Sequence, residues 1–316
     1  MQEPRICSRW NQLATATGRL SCADPNLQAV TGYTIGDAKE GEAAGSADTP
    51  QKQRSAFEAA INIRNAFKAP PGRVLLAADY SQIELRVMAH LSGDRQLISL
   101  MQLSEAGGGD IFTLIAKEML GVEGEVTKSE RNKAKRIVYA LCYGMGVQSL
   151  ARTLEIRMTE ATQLREKFLG KFPGVQKFLN GCKEESRKTG YTETFISRRR
   201  RYLPDITSAH DPQQRDYAER QAINTPIQAG AADLIKLAMC RWLKWEAAHQ
   251  GRRDTPMLLA MIHDELLFEV DAAADLVELG RTIKDIMCNV MEFKVPITVK
   301  VETGERWGEM RELPIP

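Results

Sequence analysis

The chain has 316 residues, of which 43% are hydrophobic and 27% charged, an ordinary composition for a soluble globular protein with a large core. Its formal net charge of +2 does not indicate a nucleic-acid binder, so any such binding has to depend on local patches of charge. It has no apolar run near the roughly 18 residues that cross a membrane, and no apolar segment of a secretory signal, so we expect no membrane partner.

The first part of the chain is predicted to deliver an acidic residue at the end of a buried strand. Arg5–Asn11 has strand-like sequence, whereas residues 31–60 are rich in small and charged residues and are predicted to form a mobile loop. Val74–Ala78 is an apolar run without a polar break, which predicts a buried strand that ends on Asp79. Ser81–Glu84 fits a capping box, so a helix is predicted to begin there.

The following segment is predicted to be mostly helical, and one helix carries a distinctive stripe. Thr127 and Glu130 fit a capping box and Gly144 is a stop signal, so we expect a helix over Lys128–Tyr143. Four residues spaced four apart share one face of it: Arg131, Lys135, Tyr139 and Tyr143. Two cations and two rings in line suit a nucleoside triphosphate, although the stripe alone could also be a solvated helix face over a core.

The middle of the chain is predicted to contain two long helical segments around a basic loop. A charged amphipathic segment over residues 159–188 is broken at Phe172–Gly174, and a helical stretch over residues 212–249 is predicted to be interrupted at Thr225–Pro226. Between them, the arginine run at Ser197–Arg201 is typical of a loop that faces either solvent or phosphate.

The last part of the chain is predicted to contain a β-hairpin with acids at its turn. Two apolar runs, Met257–Ile262 and Leu266–Val270, flank the sequence His263-Asp264-Glu265. Turns favour Asp for local reasons, so a structural role stays open, but two strands that each deliver a carboxylate indicate a site for hard cations. With a helix over residues 272–291 and a strand over 295–302, the pattern predicts an antiparallel sheet beside a helical layer, an α+β fold.

These segments resemble the motifs of the family A DNA polymerases. DYSQIELR is similar to the family's motif A, RNKAKRIVYALCYGMG to motif B and IHDELLFEV to motif C. ATATGRLSCADPNLQ and ERQAINTPIQAGAADLIKLAM resemble two further family segments, and all five occur in the family's order between about Arg9 and Trp307. Within the family, residues 199–204 and 218–224, together with Tyr139-Ala140, resemble the eukaryotic theta and nu branch.

The resemblance implies the polymerase right-hand fold, with an antiparallel-sheet palm and a helical fingers subdomain. Residues 1–81 would form the N-terminal part of the palm with an inserted loop at about 31–60. Residues 82–210 would be mainly fingers helices, and residues 211–316 the C-terminal part of the palm with the catalytic hairpin. The family's thumb precedes TATGRLS, so we expect a fold that lacks most of the thumb, acting as a monomer or within a longer polypeptide.

The resemblance also implies DNA-directed DNA synthesis, in which two Mg²⁺ ions assist transfer of a dNTP to a primer 3′-hydroxyl, in DNA repair or translesion synthesis. Asp79, Asp264 and the backbone carbonyl of Tyr80 would hold the ions, and Glu265 would assist indirectly. Lys135 would also act as a general acid toward departing pyrophosphate. The implied dNTP contacts are Gln82, Glu84, Arg131, Lys135, Tyr139 and Tyr143. The implied contacts to primer–template DNA are Arg19, Arg199, Arg200, Arg220, Asn224, Gln228 and His263.

Two other functions stay open at this point. A single-subunit RNA polymerase shares the palm, but two features argue against it: Glu84, which in the family crowds the sugar 2′ position, and the Asp264-Glu265 pair. A non-catalytic DNA-binding remnant or fragment of a larger repair protein is the second, and the intact acidic and basic site residues argue against it. Six scattered cysteines without a CxxC pair indicate reduced thiols, with neither zinc nor a disulfide framework. The theta-like resemblance implies a nuclear location.

Overall fold

In a computed structural model of the chain, the structure describes residues 5–30, 34–35, 61–122, 124–208, 211–249 and 255–315. The loop predicted over residues 31–60 lies outside them, except for Thr34–Ile35. The strands are β1 Arg9–Asn11, β2 Ser21–Ala23, β3 Thr34–Ile35, β4 Ile61–Asn62, β5 Arg73–Tyr80, β6 Tyr191–Glu193, β7 Arg200–Tyr202, β8 Met257–Ile262, β9 Glu265–Asp271, β10 Val299–Gly304 and β11 Arg311–Glu312. The helices are α1 Ile83–Ser92, α2 Arg95–Leu103, α3 Ile111–Leu120, α4 Lys128–Cys142, α5 Val147–Leu154, α6 Met158–Lys171, α7 Pro173–Thr189, α8 Pro212–Ala248 and α9 Leu276–Cys288.

The central feature is a five-stranded antiparallel sheet in the order β11-β10-β5-β9-β8. It unites the strand before Asp79, the acidic hairpin and the final strand, as the sequence predicted. In the register, Asp79 lies opposite Glu265 of β9 on one side and opposite Lys300 of β10 on the other. The sheet therefore gathers residues from three distant segments around one strand end.

The two faces of the sheet bury different clusters, because successive side chains of a strand point to opposite faces. Leu76, Ala78 and Tyr80 enter the main core with the helices, whereas Leu75 and Ala77 pack in a smaller cluster around Trp307. Asp79 follows Ala77 on this second face, at the end of the strand. Its carboxylate is thus kept out of the main core.

The helical layer follows local sequence signals closely. In α4, the hydroxyl of Thr127 accepts from the Glu130 amide at 3.2 Å and the Glu130 carboxylate accepts from the Thr127 amide at 2.9 Å, which confirms the capping box. Ile137, Val138 and Leu141 are buried on the inner face of α4, so the predicted stripe is left on the outer face. The predicted break between two helices is also found, with Pro173 in the first turn of α7.

The predicted interruption at Thr225–Pro226 is wrong, because α8 continues through Pro226 without a break. A proline inside a helix leaves the carbonyl four residues earlier without its usual partner. Here that carbonyl belongs to Ala222, and it accepts a hydrogen bond of 3.3 Å from the hydroxyl of Thr192 in β6. A tertiary contact therefore supplies the donor that the proline removes.

The capping box predicted at Ser81–Glu84 is wrong as well. The helix begins one residue later than expected, and Gln82 precedes it with a φ of 49° and makes no side-chain cap. The Glu84 carboxylate is turned to Arg19 instead. Among the described residues, no helix is long and apolar enough to cross a membrane. The division of the chain at residues 81 and 210 stays a prediction.

Candidate active site

Two acidic residues meet where β5 ends and the β8–β9 hairpin turns. The Tyr80 amide donates a hydrogen bond of 3.2 Å to the Asp264 carbonyl, which fixes the hairpin turn against the end of β5. His263 forms the exposed corner of that turn with a φ of 56°. Asp79 and Asp264, 185 positions apart in the sequence, are therefore brought together by one backbone contact and the sheet register.

Asp79, Asp264 and Glu265 together form what we call the acidic edge. Their surroundings disfavour negative charge on the three carboxylates. Asp79 keeps part of its surface in solvent, yet partial burial in the cleft, followed by the carboxylates of Glu265 and Asp264, raises its pKa to about 7. Burial also raises the pKa of Asp264, against the opposing effect of Arg19. Burial likewise raises the pKa of Glu265, whose carboxylate accepts a hydrogen bond of 3.1 Å from the Trp307 indole. The edge has more negative charge than its protein neighbours neutralise.

This donor set fits a divalent cation that is shared with a phosphate-bearing ligand. Oxygen ligands with excess negative charge suit Mg²⁺, which is typically held by one or two carboxylates and by substrate phosphates. Among the described residues, no group of three or more His, Cys, Asp and Glu side chains could hold a metal ion by itself. Tyr80 points its hydroxyl into the core, 2.8 Å from the Met287 carbonyl, so only its backbone could contribute.

The stripe of α4 forms a second wall of the site. Tyr139 and Tyr143 stack with ring centroids 6.4 Å apart. Phe112 of α3, which the sequence analysis missed, lies against three members of the stripe. Its ring centroid is 5.9 Å from that of Tyr139, and 5.7 Å from both the Arg131 guanidinium and the Lys135 ammonium. Phe112 of α3 therefore packs against the stripe of α4.

Arg131 has a partner that the sequence analysis also missed. Its Nε and Nη2 atoms donate to the two oxygens of Asp110, each at 2.8 Å. Asp110 also caps α3 through the Thr113 amide at 2.9 Å. Partial burial alone would raise the pKa of Asp110, but hydrogen bonds from Arg131 and Thr113 hold it below its ordinary range. An anionic ligand would have to replace Asp110 at Arg131, whereas Lys135 has no ion-pair partner among the described residues.

Glu84 lies between the acidic edge and the stripe. Its side chain is buried, with only 4% of the residue exposed, and its Oε1 atom is 2.5 Å from Nη2 of Arg19. The Tyr143 hydroxyl approaches the same carboxylate, and the negative charge of Asp264 is close enough to affect it. Burial raises the pKa of Glu84 in spite of Arg19. The predicted nucleotide contacts Glu84 and Tyr143 are thus neighbours in space.

The predicted DNA contacts on α8 lie in one line along the helix. Arg220, Asn224 and Gln228 follow at intervals of four, and all three remain partly accessible. The Oδ1 atom of Asn224 is buried and has no hydrogen-bond partner among the described residues. This helix face therefore carries one cation and, at Asn224, one buried oxygen without a partner, beside the turn that follows α4.

Two arginines of the run, Arg199 and Arg200, already bond to other parts of the protein. Arg199 donates to the Thr17 carbonyl at 2.6 Å and lies 3.7 Å from Asp233, so it links β7 to the segment before Arg19. Arg200 bonds to Glu193 at 3.1 Å and lies over the Tyr191 ring. DNA contact by Arg199 and Arg200 stays a prediction, and Arg199 already has a structural role.

Comparison with known proteins gives one consistent result. The model of a family described as DNA polymerase family A matches residues 1–309. The chain is 41% identical over 310 residues to the thermostable DNA polymerase I of Thermus thermophilus, which covers 98% of this chain and 33% of that protein. It is 38% identical over 315 residues to DNA polymerase I of Chloroflexus aurantiacus, covering 98% of this chain and 29% of that one. The chain spans about a third of the length of these curated relatives.

A solved structure supports the same relationship. It is the POL domain of Pol1 from M. smegmatis in complex with DNA primer-template and dNTP, which is 36% identical in sequence and superposes with a TM-score of 0.80. The match covers 98% of this chain and 49% of that one. The predicted α+β polymerase fold is confirmed. These relatives are bacterial, and they do not support the resemblance to the theta and nu branch on which the expected nuclear location depended.

Proposed function

Because this chain belongs to DNA polymerase family A, we propose that it synthesises DNA on a DNA template, with primer–template DNA and a dNTP as its ligands. We place it with the bacterial DNA polymerase I type, since the relatives described above are of that type. A role in DNA repair or translesion synthesis stays a prediction that these relatives do not address. The expected nuclear location is untested and has lost its basis, because it depended on the theta and nu resemblance.

One observation carries the proposal: the acidic edge and the α4 stripe face the same cleft. Tyr139 is the stripe residue whose surroundings show most directly that the two walls face one cleft. Burial, Cys142 and then the carboxylates of Glu84, Asp264 and Asp79 together raise its pKa to about 12. An aromatic ring that is close to all three acids supports the proposal that the sugar of a bound nucleotide lies beside the carboxylates that would hold the metal ions.

We propose that Asp79 and Asp264 hold two Mg²⁺ ions, with the backbone carbonyl of Tyr80 as a further ligand. Cations bound there would lower the pKa of the primer 3′-hydroxyl and stabilise charge on the α-phosphate. The paired carboxylates fit this task because their own repulsion is relieved when they bind a cation.

The chain's own residues position the reactants. Arg131, on exchanging Asp110 for the triphosphate, orients the γ-phosphate, and Lys135 approaches the α-phosphate. The primer 3′-hydroxyl releases its proton to solvent water, its oxygen forms a bond to the α-phosphorus while the bond to the β-phosphate oxygen breaks, and the Lys135 ammonium donates a proton to the departing pyrophosphate. Tyr139 packs on the sugar, and Glu84 occupies the space that a 2′-hydroxyl would need.

Primer extension by the 316-residue chain tests this function. With Mg²⁺ and dNTPs, the wild type should extend a primer on a DNA template, and Asp264→Asn should lose at least about a thousandfold in rate, or about 4 kcal/mol. Asp285→Asn removes an exposed carboxylate on α9 and should extend like the wild type.

Three outcomes separate the alternatives. Extension with dNTPs but not with rNTPs supports a DNA polymerase, whereas efficient extension with rNTPs alone identifies an RNA polymerase. Binding of primer–template without any extension identifies the non-catalytic DNA-binding remnant and overturns the proposal.

A further inference from the structure

Tyr217 is an exposed aromatic residue that the site described above does not use. It lies in α8, and 58% of its surface is accessible. It precedes Arg220, Asn224 and Gln228 by three, seven and eleven residues, so it continues their line by one helical turn. A large ring in this position gains little from packing, and a role in contact with a ligand accounts for it better than a role in the core.

The close approach of Gly144 to α8 locates Tyr217 relative to the proposed nucleotide site. Gly144 has a φ of 64°, and a Cβ atom placed on it would lie 3.1 Å from the Arg220 Cα atom. The end of α4, with Tyr143, is therefore packed against α8 at Arg220. Tyr217 lies one turn beyond this junction, on the side away from Gln228. A strand that follows this line of α8 would contact Tyr217 next to Arg220, at the end away from Gln228.

The surroundings of the ring are cationic. The Arg220 guanidinium carbon is 5.5 Å from the Tyr217 ring centroid. Arg201 extends from β7 toward the same helix, and its Nη1 atom lies 3.3 Å from the Thr225 hydroxyl. Within the described part of the chain, neither guanidinium forms an ion pair with a carboxylate. An exposed ring near two arginines that no described carboxylate neutralises has the composition of a site for single-stranded nucleic acid, where rings stack on bases and arginines approach phosphates.

We propose that Tyr217, with Arg220 and Arg201, binds an unpaired nucleobase of the template strand next to the nascent pair. The base stacks on the Tyr217 ring, and the two arginines contact the flanking phosphates. An unpaired base is required because a base inside a duplex already has neighbours on both faces. This inference rests on the proposed polymerase function, since it assigns one part of the template path.

The test measures binding by the 316-residue chain to two DNAs. One is a primer–template with unpaired template nucleotides at its 5′ end, and the other is the same duplex with a flush end. Tyr217→Ala should weaken binding to the first by about tenfold and change binding to the second by less than about twofold. Tyr217→Phe keeps the ring and should bind both like the wild type. Leu243→Ala is the matched control, because Leu243 is 54% exposed on the same helix but lies near its opposite end.

A base analogue gives a second readout. With 2-aminopurine as the first unpaired template base, the wild type and Tyr217→Phe should quench its fluorescence, whereas Tyr217→Ala should not. Unchanged quenching in Tyr217→Ala, or an equal loss of affinity for both DNAs, overturns the inference. Primer extension by the same wild-type preparation separates the inference about Tyr217 from the proposed polymerase function. A chain that extends primers while Tyr217→Ala binds both DNAs normally contradicts this inference alone, and a chain that neither binds nor extends contradicts the proposed function.

Discussion

The Nη2 atom of Arg19 lies 2.5 Å from Oε1 of Glu84, and this contact joins the segment after β1 to the first turn of α1. The Glu84 carboxylate is almost completely buried, so its charge depends on that single guanidinium and on the approach of Tyr143. The pair holds a bulky acid in the cleft between the acidic edge and the α4 stripe. Its position there is fixed by tertiary contacts.

We predict that Glu84→Ala weakens discrimination against ribonucleotides. Removing the side chain opens space at the sugar 2′ position, so the ratio of rNTP to dNTP incorporation efficiency should rise by about ten- to a hundredfold. Single-nucleotide incorporation under steady-state conditions measures this ratio. Glu84→Gln keeps the volume and should retain most of the discrimination. An unchanged ratio in Glu84→Ala would show that Glu84 only anchors Arg19.

We predict that Asp110→Asn tightens nucleotide binding. The change removes the charge that competes with the triphosphate for Arg131, while Asn remains a good N-cap for α3. The ion pair is partly exposed, so the KM for dNTP should fall by no more than about fivefold, with kcat unchanged. The control is Glu160→Gln. It removes a carboxylate of α6 that lies 3.8 Å from Lys133, a lysine on the same helix as Arg131, and should leave KM unaltered. A higher KM in Asp110→Asn would mean that Asp110 positions Arg131 for the nucleotide.

We predict that Thr192→Val destabilises the fold through α8. The buried Ala222 carbonyl would lose the donor that replaces the missing amide of Pro226, which costs about 1 to 3 kcal/mol in the free energy of unfolding. In a Pro226→Ala background the new amide can bond to that carbonyl, so the same Thr192→Val change should cost about 1 kcal/mol less. Urea unfolding of the four proteins measures this coupling. Additive effects would exclude the compensation.

We predict that Glu219 makes a pH-dependent contribution to the free energy of unfolding. Its carboxylate accepts hydrogen bonds from Lys183 at 2.9 Å and from Arg187. Burial alone would raise its pKa, but these hydrogen bonds hold the pKa below the ordinary value of 4.5. The folded state binds this proton more weakly than the unfolded state. The stabilisation is therefore complete above pH 4.5 and is lost as the pH falls through the folded pKa.

Glu219→Gln should accordingly lower the free energy of unfolding by about 1 to 2 kcal/mol at pH 7, because the bonds to partly exposed cations are charge-assisted. The difference from the wild type should vanish in acid, below the folded pKa. Thermal unfolding measured from pH 7 down into acid follows this loss. Glu278→Gln, which removes an exposed partner of Arg281, should have little effect at any pH. A constant difference across the range would assign the effect to packing.

The sequence by itself determined the elements that depend on short-range signals. The capping box of α4, the proline at the start of α7 and the two apolar runs of the β8–β9 hairpin are all properties of neighbouring residues, and each was correctly predicted. The acids at the ends of two apolar strands were also evident, because a strand that ends on a carboxylate is visible in a few residues. The motifs identified the family, but the bacterial relatives corrected the branch within it.

Tertiary structure decided what depends on partners distant in the chain. Ser81–Glu84 has the sequence of a cap, yet Glu84 is taken by Arg19, 65 residues earlier. Pro226 has the sequence of a helix break, yet Thr192 supplies the missing donor from another element. Asp110 and Phe112 join the proposed nucleotide site only because α3 packs on α4. Local free energies are small, so a single long-range hydrogen bond or ion pair can outweigh a local preference, and only the folded chain shows which one does.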